Sequence, residues 1–509
     1  MGTFYRSFIS AISALALAGP TFAQVPSSND TSDRNFNTGM GTGALGGPAA
    51  TNDGSANTAS GYQALFYNSI GSSNTASGFQ ALFSDTSGSY NTAVGYQALF
   101  GSNGSYNSAL GYEALSSNTT GYDNTACGNQ ALQNNTTGSY NTASGYAALF
   151  GALFATGSNN TGIGIAALYS YSTGSNNTAA GYEALFSTTT GYDNTASGYE
   201  ALYFNSTGGY NAASGYDALY SNETGNGNNA VGFSALFHNT SGDYNTAVGY
   251  ETLYSNTTGT ENNAAGYATL EANTTGSYNN AMGVKALYEN TTGAQNSAVG
   301  YGALYSNTYG NYNVGIGYFA GFNLTSGSNN IDINNRGVAG ESGVIRIGIQ
   351  GTQVATYVAG IYGTSVSGSA VVVSSTGQLG VTVSSERFKT AITPMGTDTA
   401  KLGQLRPVTF KLKSDATGTR QYGLIAEEVA KVYPELVVRD ESGRIDGVRY
   451  DELAPMLLNE VQQQEQKIAT QAGQLRDVLQ QLAILKEVSE ATRVALRQLQ
   501  SKDETVAQR

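Results

Sequence analysis

The chain has 509 residues, of which 65 are glycine and 35 are tyrosine, and only 12% are charged. Soluble globular domains carry about twice that share of charged residues, so the composition argues against a packed multidomain enzyme and favours a thin, repetitive architecture. The net charge is −13, and Lys285 is the only cation between Asn35 and Asn335, which argues against nucleic acid as a partner of this region.

The N-terminus has the pattern of a secretory signal peptide. Arg6 precedes an apolar stretch from Phe8 to Ala18, and a Thr-Phe-Ala ending leads to Ala23. This order predicts a cleaved signal peptide over residues 1–23 and export to the extracellular space or the bacterial cell surface. A membrane anchor is the alternative, but the apolar stretch is shorter than the roughly 20 residues that span a bilayer. A Gly/Ser/Asn-rich linker follows over residues 24–56.

An internal repeat organises residues 57–330. Its block is Asn-Thr-Ala-x-Gly-Tyr-x-Ala-Leu, and successive blocks are 17 residues apart except for one interval of 16 and one of 19. Such a period predicts one small unit stacked many times, and hence a mostly β fold, either an elongated β-solenoid or a trimeric β-roll. The first Asn of each block lies at Asn57, Asn74, Asn91, Asn107, Asn124, Asn141, Asn160, Asn177, Asn194, Asn211, Asn228, Asn245, Asn262, Asn279, Asn296, Asn313 and Asn330.

Each unit predicts a short strand, a buried edge and a tight turn. Asn-Thr-Ala-x-Gly fits the strand, Tyr-x-Ala-Leu fits a buried edge or one helical turn, and Asn-Thr-Thr-Gly fits the turn. Sixteen steps at about 4.8 Å would give a shaft of roughly 75 to 80 Å. The apolar residues of one unit are few, so we expect neighbouring chains to share the core, in the style of trimeric autotransporter adhesins and phage fibres. For the first unit they are Ala59, Tyr62, Ala64, Leu65 and Phe66.

The repeats offer little catalytic chemistry. The Asn-x-Thr/Ser triplets recur with the turn and indicate turn chemistry rather than glycan attachment. Four glutamates occupy the variable position after Tyr, but scattered copies of one slot make a poor pair of glycosidase carboxylates. With a single histidine, His238, and a single cysteine, Cys127, no metal site, cofactor or disulfide is predicted. The four glutamates are Glu113, Glu183, Glu200 and Glu251.

The composition changes after Asn330. Short apolar runs separated by glycines predict a β-rich neck over residues 331–383. These runs are Ile331-Asp332-Ile333, Val344 to Gly348, Thr352 to Gly360 and Ala370 to Val373.

Residues 384–460 have ordinary charge and few glycines, which indicates a small α+β domain. Several blocks in order resemble the intramolecular chaperone auto-processing domain of phage endosialidase tailspikes and related fibres. The blocks are Ser384-Ser385-Glu386-Arg387-Phe388-Lys389, Leu405-Arg406-Pro407-Val408-Thr409-Phe410-Lys411, Tyr422-Gly423-Leu424-Ile425-Ala426-Glu427-Glu428-Val429, Val432-Tyr433-Pro434-Glu435-Leu436-Val437 and Val448-Arg449-Tyr450.

The resemblance implies a catalytic Ser-Lys dyad that cuts the chain once, before the serine, after three copies have assembled. Here the dyad would be Ser384 as nucleophile on the Val383 carbonyl and Lys389 as general base, which requires an uncharged lysine amine, favoured by burial or by a cation such as Arg387. The family's Asp after the serine is Ser385 here, whose hydroxyl could compete. A purely structural alternative is that Ser384 or Ser385 caps a helix.

The last part of the chain predicts a coiled coil over residues 461–500, followed by a polar tail at 501–509. Two seams recur every seven residues. One long helix packing on its own domain is the alternative, and the resemblance, rather than the heptads, implies three strands. The seams are Val461, Ile468, Leu475, Leu482, Ser489 and Leu496, and Gln464, Gln471, Val478, Leu485, Thr492 and Leu499.

Together these patterns predict an exported fibrous or adhesin-like homotrimer without a membrane span. Its C-terminal domain would promote assembly and act at most as a single-turnover serine autoprotease. The alternative is a phage-type tail fibre or spike that binds or depolymerises a cell-surface polysaccharide.

Overall fold

The computed structural model describes residues 30–47, 53–359, 361, 367, 369–440 and 442–506. The predicted signal peptide lies outside the described residues. The chain divides into two compact units, Met1–Thr364 and Ser365–Arg509.

The first unit is a parallel β-solenoid of 18 turns, as the 17-residue period predicted. Each coil contributes one three-residue strand, and equivalent positions pair in register, as Ala196 does with Ala213. Strand β1 pairs with β2 in antiparallel orientation, and β2 to β20 continue as parallel neighbours. The strands are β1 (Asp30–Ser32), β2 (Thr38–Met40), β3 (Thr58–Ser60), β4 (Thr75–Ser77), β5 (Thr92–Val94), β6 (Ser108–Leu110), β7 (Thr125–Cys127), β8 (Thr142–Ser144), β9 (Thr161–Ile163), β10 (Thr178–Ala180), β11 (Thr195–Ser197), β12 (Ala212–Ser214), β13 (Asn229–Val231), β14 (Thr246–Val248), β15 (Asn263–Ala265), β16 (Asn280–Met282), β17 (Ser297–Val299), β18 (Val314–Ile316), β19 (Ile331–Ile333) and β20 (Ile345–Ile347).

The core of the solenoid lies inside a single chain. In the first full coil Ala59, Ala64 and Leu65 are almost completely buried, and the same three positions are buried in most of the coils that follow. The expectation that neighbouring chains share this core is therefore wrong, because small Ala and Leu layers fill the narrow coil without help. Tyr62, expected among the core residues, lies on the surface.

Buried asparagines supply the polar part of that core. The index Asn of every coil from Asn57 to Asn313 donates its side-chain N–H to a glycine carbonyl of the next coil, as Asn228 does to Gly242 at 2.8 Å. Its side-chain oxygen accepts the backbone N–H of the next index residue, as Asn228 does from Asn245 at 2.9 Å. Because both ends of the amide are paired, these side chains are buried without an unmet hydrogen bond.

The corners of the coil need left-handed backbone. Leu65 and its equivalents have φ near +50°, although a leucine rarely adopts that conformation. The glycine after each strand from β3 to β17 has φ between +129° and +148°, and a Cβ at Gly215 would lie 2.3 Å from the carbonyl oxygen of Gly232. Only glycine fits there, because the approaching atom belongs to the backbone of the next coil.

The second unit begins with a hairpin and continues into the small domain. Strand β21 (Val371–Val373) pairs antiparallel with β22 (Leu379–Val381), whereas residues 352–359, predicted as part of the β-rich neck, form no strand. Strand β23 (Val408–Phe410) pairs with β24 (Gln421–Gly423), and β25 (Val437–Arg439) pairs with β26 (Ile445–Val448). Helix α1 (Ala426–Val432) lies between the two pairs, and helix α2 (Tyr450–Val506) follows them. No helix in the described part of the chain is long and apolar enough to cross a bilayer.

Candidate functional site

The predicted nucleophile lies in an extended segment directly after the hairpin. Ser384 follows β22 by three residues, and both it and the preceding Val383 are exposed. The Val383–Ser384 peptide bond is therefore accessible. A short 3₁₀ turn, Glu386–Phe388, begins two residues further on.

The predicted base lies at the other end of that turn. The backbone N–H of Lys389 donates to the Glu386 carbonyl at 2.9 Å, and its side chain is exposed. Within the part of the chain that the structure describes, no hydrogen bond joins Ser384 to Lys389. Ser384 lies two residues before the turn and Lys389 directly after it, and the single chain alone does not bury the lysine amine.

The same turn bears on the alternative that Ser384 or Ser385 caps a helix. Ser385 precedes the 3₁₀ turn with extended backbone, at φ −65° and ψ 141°, but its side chain makes no capping hydrogen bond. The Arg387 guanidinium lies over the Phe388 ring at 4.6 Å from the ring centre. Helix capping by Ser385 is thus not what holds this segment.

The domain that follows the dyad in sequence has a small hydrophobic core. Val429, Tyr433, Leu436 and Val437 are its buried residues. The Tyr433 hydroxyl donates to the Asp398 carbonyl at 3.0 Å and accepts the N–H of Lys401 at 3.2 Å. The loop around residue 400 is thereby fixed to the core.

An ion pair links helix α1 to Arg406, which lies two residues before β23. The Arg406 guanidinium donates to the Glu428 carboxylate at 2.6 Å and lowers the pKa of that carboxyl. Both side chains are substantially exposed, so the pair contributes little to stability.

Only the first turns of helix α2 contact the hydrophobic core of this domain. Leu453 and Met456 pack against the buried cluster, and Asn459 donates to the Thr399 hydroxyl at 2.6 Å. From Leu457 to Leu499 the apolar side chains of the helix are exposed, including both predicted seams. The packing alternative thus describes the first turns of the helix, and the seams remain uncovered by the chain itself.

The four repeat glutamates are not brought together as a site. Glu183 and Glu200 lie in the same half-buried slot on successive coils, whereas Glu113 and Glu251 lie several coils away. The Glu183 carboxyl raises the pKa of Tyr182 to about 12. In the same slot, burial raises the pKa of Asp217 to about 6.

The tyrosines beside that slot form an exposed ladder. The rings of Tyr182 and Tyr199 stack with their centres 5.0 Å apart, and Tyr199 and Tyr216 repeat the contact at 4.8 Å. The rings therefore stack face to face along the ladder.

The fold and the dyad region together define a class of protein, a repetitive β-solenoid fibre followed by a small α+β domain with a long helix. Comparison with known families identifies the small domain more closely. Residues 384–438 match the peptidase S74 family, described as chaperone of endosialidase. The resemblance drawn from the sequence is confirmed, and the chain carries a domain of this family at the C-terminal side of its solenoid. No curated protein and no solved structure matches the chain.

The family match begins at Ser384, the predicted nucleophile, and ends within β25. It therefore leaves out β26 and helix α2. Sequence reasoning did not single out the contacts made by Tyr433 and Thr399, because a lone Tyr or Thr carries no periodic signal.

Proposed function

We propose that this chain is an exported structural fibre whose C-terminal segment assembles three copies and then cuts itself off before Ser384. The observation that carries the proposal is the apolar seam of helix α2. This seam is exposed, and the helix follows in sequence a domain that matches the chaperone of endosialidase family. The family match lies in the C-terminal domain, and this supports placing the assembly task there.

The seam supports assembly through its regular spacing and its exposure. Ile468, Leu475 and Leu482 are each more than half exposed, as are Leu485 and Leu499 on the companion seam. A single helix with such an apolar stripe tends to associate with other helices, because the contact removes the stripe from water. Gln464 and Gln471 within the seam would fix the register of the copies at some cost in stability.

The proposed cut uses Ser384, two residues before the 3₁₀ turn, as nucleophile and Lys389, directly after the turn, as base. The Ser384 hydroxyl attacks the Val383 carbonyl carbon while the Lys389 amine accepts the hydroxyl proton. The peptide C–N bond breaks, the Ser384 nitrogen takes the proton back from Lys389, and an ester joins Val383 to the Ser384 oxygen. Water then hydrolyses the ester, which leaves a Val383 carboxylate and a new N-terminus at Ser384.

The exposure of Lys389 in one chain supports an order of events in which assembly precedes the cut. A solvated lysine amine is protonated near neutral pH and is a poor base, and burial favours its neutral form. Packing between copies would supply that burial, so the cut would follow assembly. The mature fibre would then comprise residues 24–383 after removal of the signal peptide.

The test is the intact mass of the purified exported chain, with wild type beside Ser384→Ala and Lys389→Ala. We expect wild type to lose everything from Ser384 onward and both variants to keep it. Ser385→Ala is the matched control, since it removes the neighbouring hydroxyl and should still be cut. Full-length protein in all four samples would leave an assembly domain without protease activity.

The oligomeric state is measured separately, by native mass spectrometry of Ser384→Ala. Three copies per particle are expected, and a monomer would overturn the assembly part of the proposal. Recovery of the chain outside the cell, with Gln24 as its first residue, would support export.

A further inference from the structure

The hairpin directly before Ser384 has one strongly apolar face. Val371 pairs with Val381, and Val373 pairs with Leu379. Residues directly opposite each other in an antiparallel pair project on the same face, so these four side chains form one patch. Val372 and Gly380 occupy the other face. The four patch residues are 54% to 69% exposed.

Nothing in the described part of the chain covers this patch. Neither the solenoid core nor the core around Val429 includes a hairpin residue. A two-stranded hairpin alone is at best marginally stable in water and needs a further layer on its apolar face. The strands β21 and β22 therefore require a partner surface.

The charge pattern around the hairpin points to further copies of the same chain. In a symmetric assembly a residue close to the axis faces its own copies, so any charge there would meet the same charge. From Ile347 to Ser385 the sequence carries no charged side chain, whereas charges resume at Glu386. Helix α2, in the same compact unit, exposes a second apolar stripe suited to the same partner.

We infer that the face formed by Val371, Val373, Leu379 and Val381 packs against the same face of the other copies and joins the fibre chains at their C-terminal end. The inference rests on the proposed assembly of three chains. It adds that this contact stays with the fibre: the hairpin ends before the Val383–Ser384 bond, and helix α2 leaves with the excised segment. The hairpin would then hold the copies of the fibre together after the cut has removed the coiled coil.

Cysteine cross-linking in the full-length chain tests this contact. The background is Cys127→Ser with Ser384→Ala, which removes the native thiol and keeps the helix attached. Ser already occupies the position of Cys127 in neighbouring coils, for instance Ser144. Val373→Cys probes the proposed face and Val372→Cys, one residue away, probes the opposite face. Leu482→Cys reports on the helix seam.

Each variant is treated with a short bifunctional thiol cross-linker and run on a denaturing gel. We expect most of the Val373→Cys chains to become covalent dimers, at least five times the fraction seen for Val372→Cys. Leu482→Cys should link as well.

Linking of Leu482→Cys without linking of Val373→Cys would overturn the hairpin contact and leave the proposed assembly intact. Equal linking of Val372→Cys and Val373→Cys would overturn the assignment of the face. If no variant links, the assembly of chains itself is wrong and the hairpin contact fails with it.

Discussion

At the scale of single residues, a second ladder of buried asparagines shows how little tolerance the core has for charge. Its members, which are not index residues, include Asn205, Asn222 and Asn239. Asn222 donates its side-chain N–H to Asn205 at 2.8 Å, and Asn239 donates to Asn222 at 2.7 Å. Asp85 occupies this ladder position in an earlier coil and is completely buried. Its carboxyl accepts the Gly88 N–H at 2.7 Å, yet burial raises its pKa to about 7.

Asp85→Asn should therefore stabilise the solenoid above neutral pH. The folded-state pKa of Asp85 lies above the ordinary value of 3.8, so the folded state holds the proton longer than the unfolded state. The free energy of unfolding consequently falls as pH rises from about 4 to about 7 and stays low above that. A shift of about three pKa units corresponds to roughly 4 kcal/mol at most. Denaturant unfolding at pH 4.5 and pH 8 should show the larger gain at pH 8.

Asp123→Asn is the control for that measurement. It removes one negative charge at an exposed turn position. An equal gain in stability from both variants at pH 8 would mean that net charge, and not the burial of Asp85, sets the pH dependence.

The index asparagines show what the sequence could and could not predict at this scale. Their spacing predicted the stacked coils, because identical side chains recurred at a fixed interval. Their burial was not predictable from residue type, since Asn usually lies at the surface. The contacts that bury Asn228 reach 14 and 17 residues along the chain and exist only once the coil has closed.

At the scale of the coil, backbone conformation was the least predictable feature. Thr-Ala-x was predicted as a strand and is one. Tyr-x-Ala-Leu, predicted as a buried edge or one helical turn, forms a tight corner with two left-handed residues and a buried Ala and Leu. In the second full coil the left-handed residues are Gln80 and Leu82. Such residues rarely adopt positive φ alone, and the hydrogen bonds between coils impose it here, as Leu82 N–H to Ala98 carbonyl at 3.0 Å illustrates.

Gly215→Ala should destabilise the solenoid strongly. The new Cβ would lie 2.3 Å from the Gly232 carbonyl oxygen, and φ of +143° is unfavourable for alanine. Because backbone must move in two coils, we expect a loss of about 3 kcal/mol or more. Hydrogen exchange should show faster exchange in the coils next to residue 215. Ser214→Ala, one residue earlier and exposed, should leave exchange unchanged; similar effects of both variants would contradict the close-approach argument.

Gly473→Ala should have the opposite effect in helix α2. Nothing lies within 4 Å of the position that its Cβ would occupy, and the residue is within the helix. Alanine is favoured over glycine by about 1 kcal/mol in a helix interior. Thermal unfolding followed by circular dichroism at 222 nm should shift upward for the helix. A lower midpoint would mean that position 473 contacts another chain.

At the scale of the whole molecule, the surfaces that lack a covering partner lie in the C-terminal unit, whereas the sequence predicted a shared core in the repeats. Leu65 and its equivalents are buried within one chain, so the coils require no neighbour. The hairpin patch and the α2 seam, in contrast, are apolar and uncovered. Association through the heptads of α2 stays a prediction, with which the exposed seam agrees. The sequence also assigned a shared core to the repeats, because counting apolar residues per coil overlooked the paired asparagines.

Leu482→Glu should prevent assembly and, with it, the cut. A carboxylate in the seam would face its own copies across the axis, and like charges in a closed interface are strongly unfavourable. Native mass spectrometry should find monomer, and intact mass should find the Val383–Ser384 bond uncut, because the burial that Lys389 needs would come from packing between copies. Gln480→Glu adds the same charge two residues away, at the heptad position farthest from the seams, and should assemble and cut like wild type. If a Leu482→Glu monomer still cuts itself, self-cleavage does not depend on assembly, and Lys389 is activated by contacts within one chain.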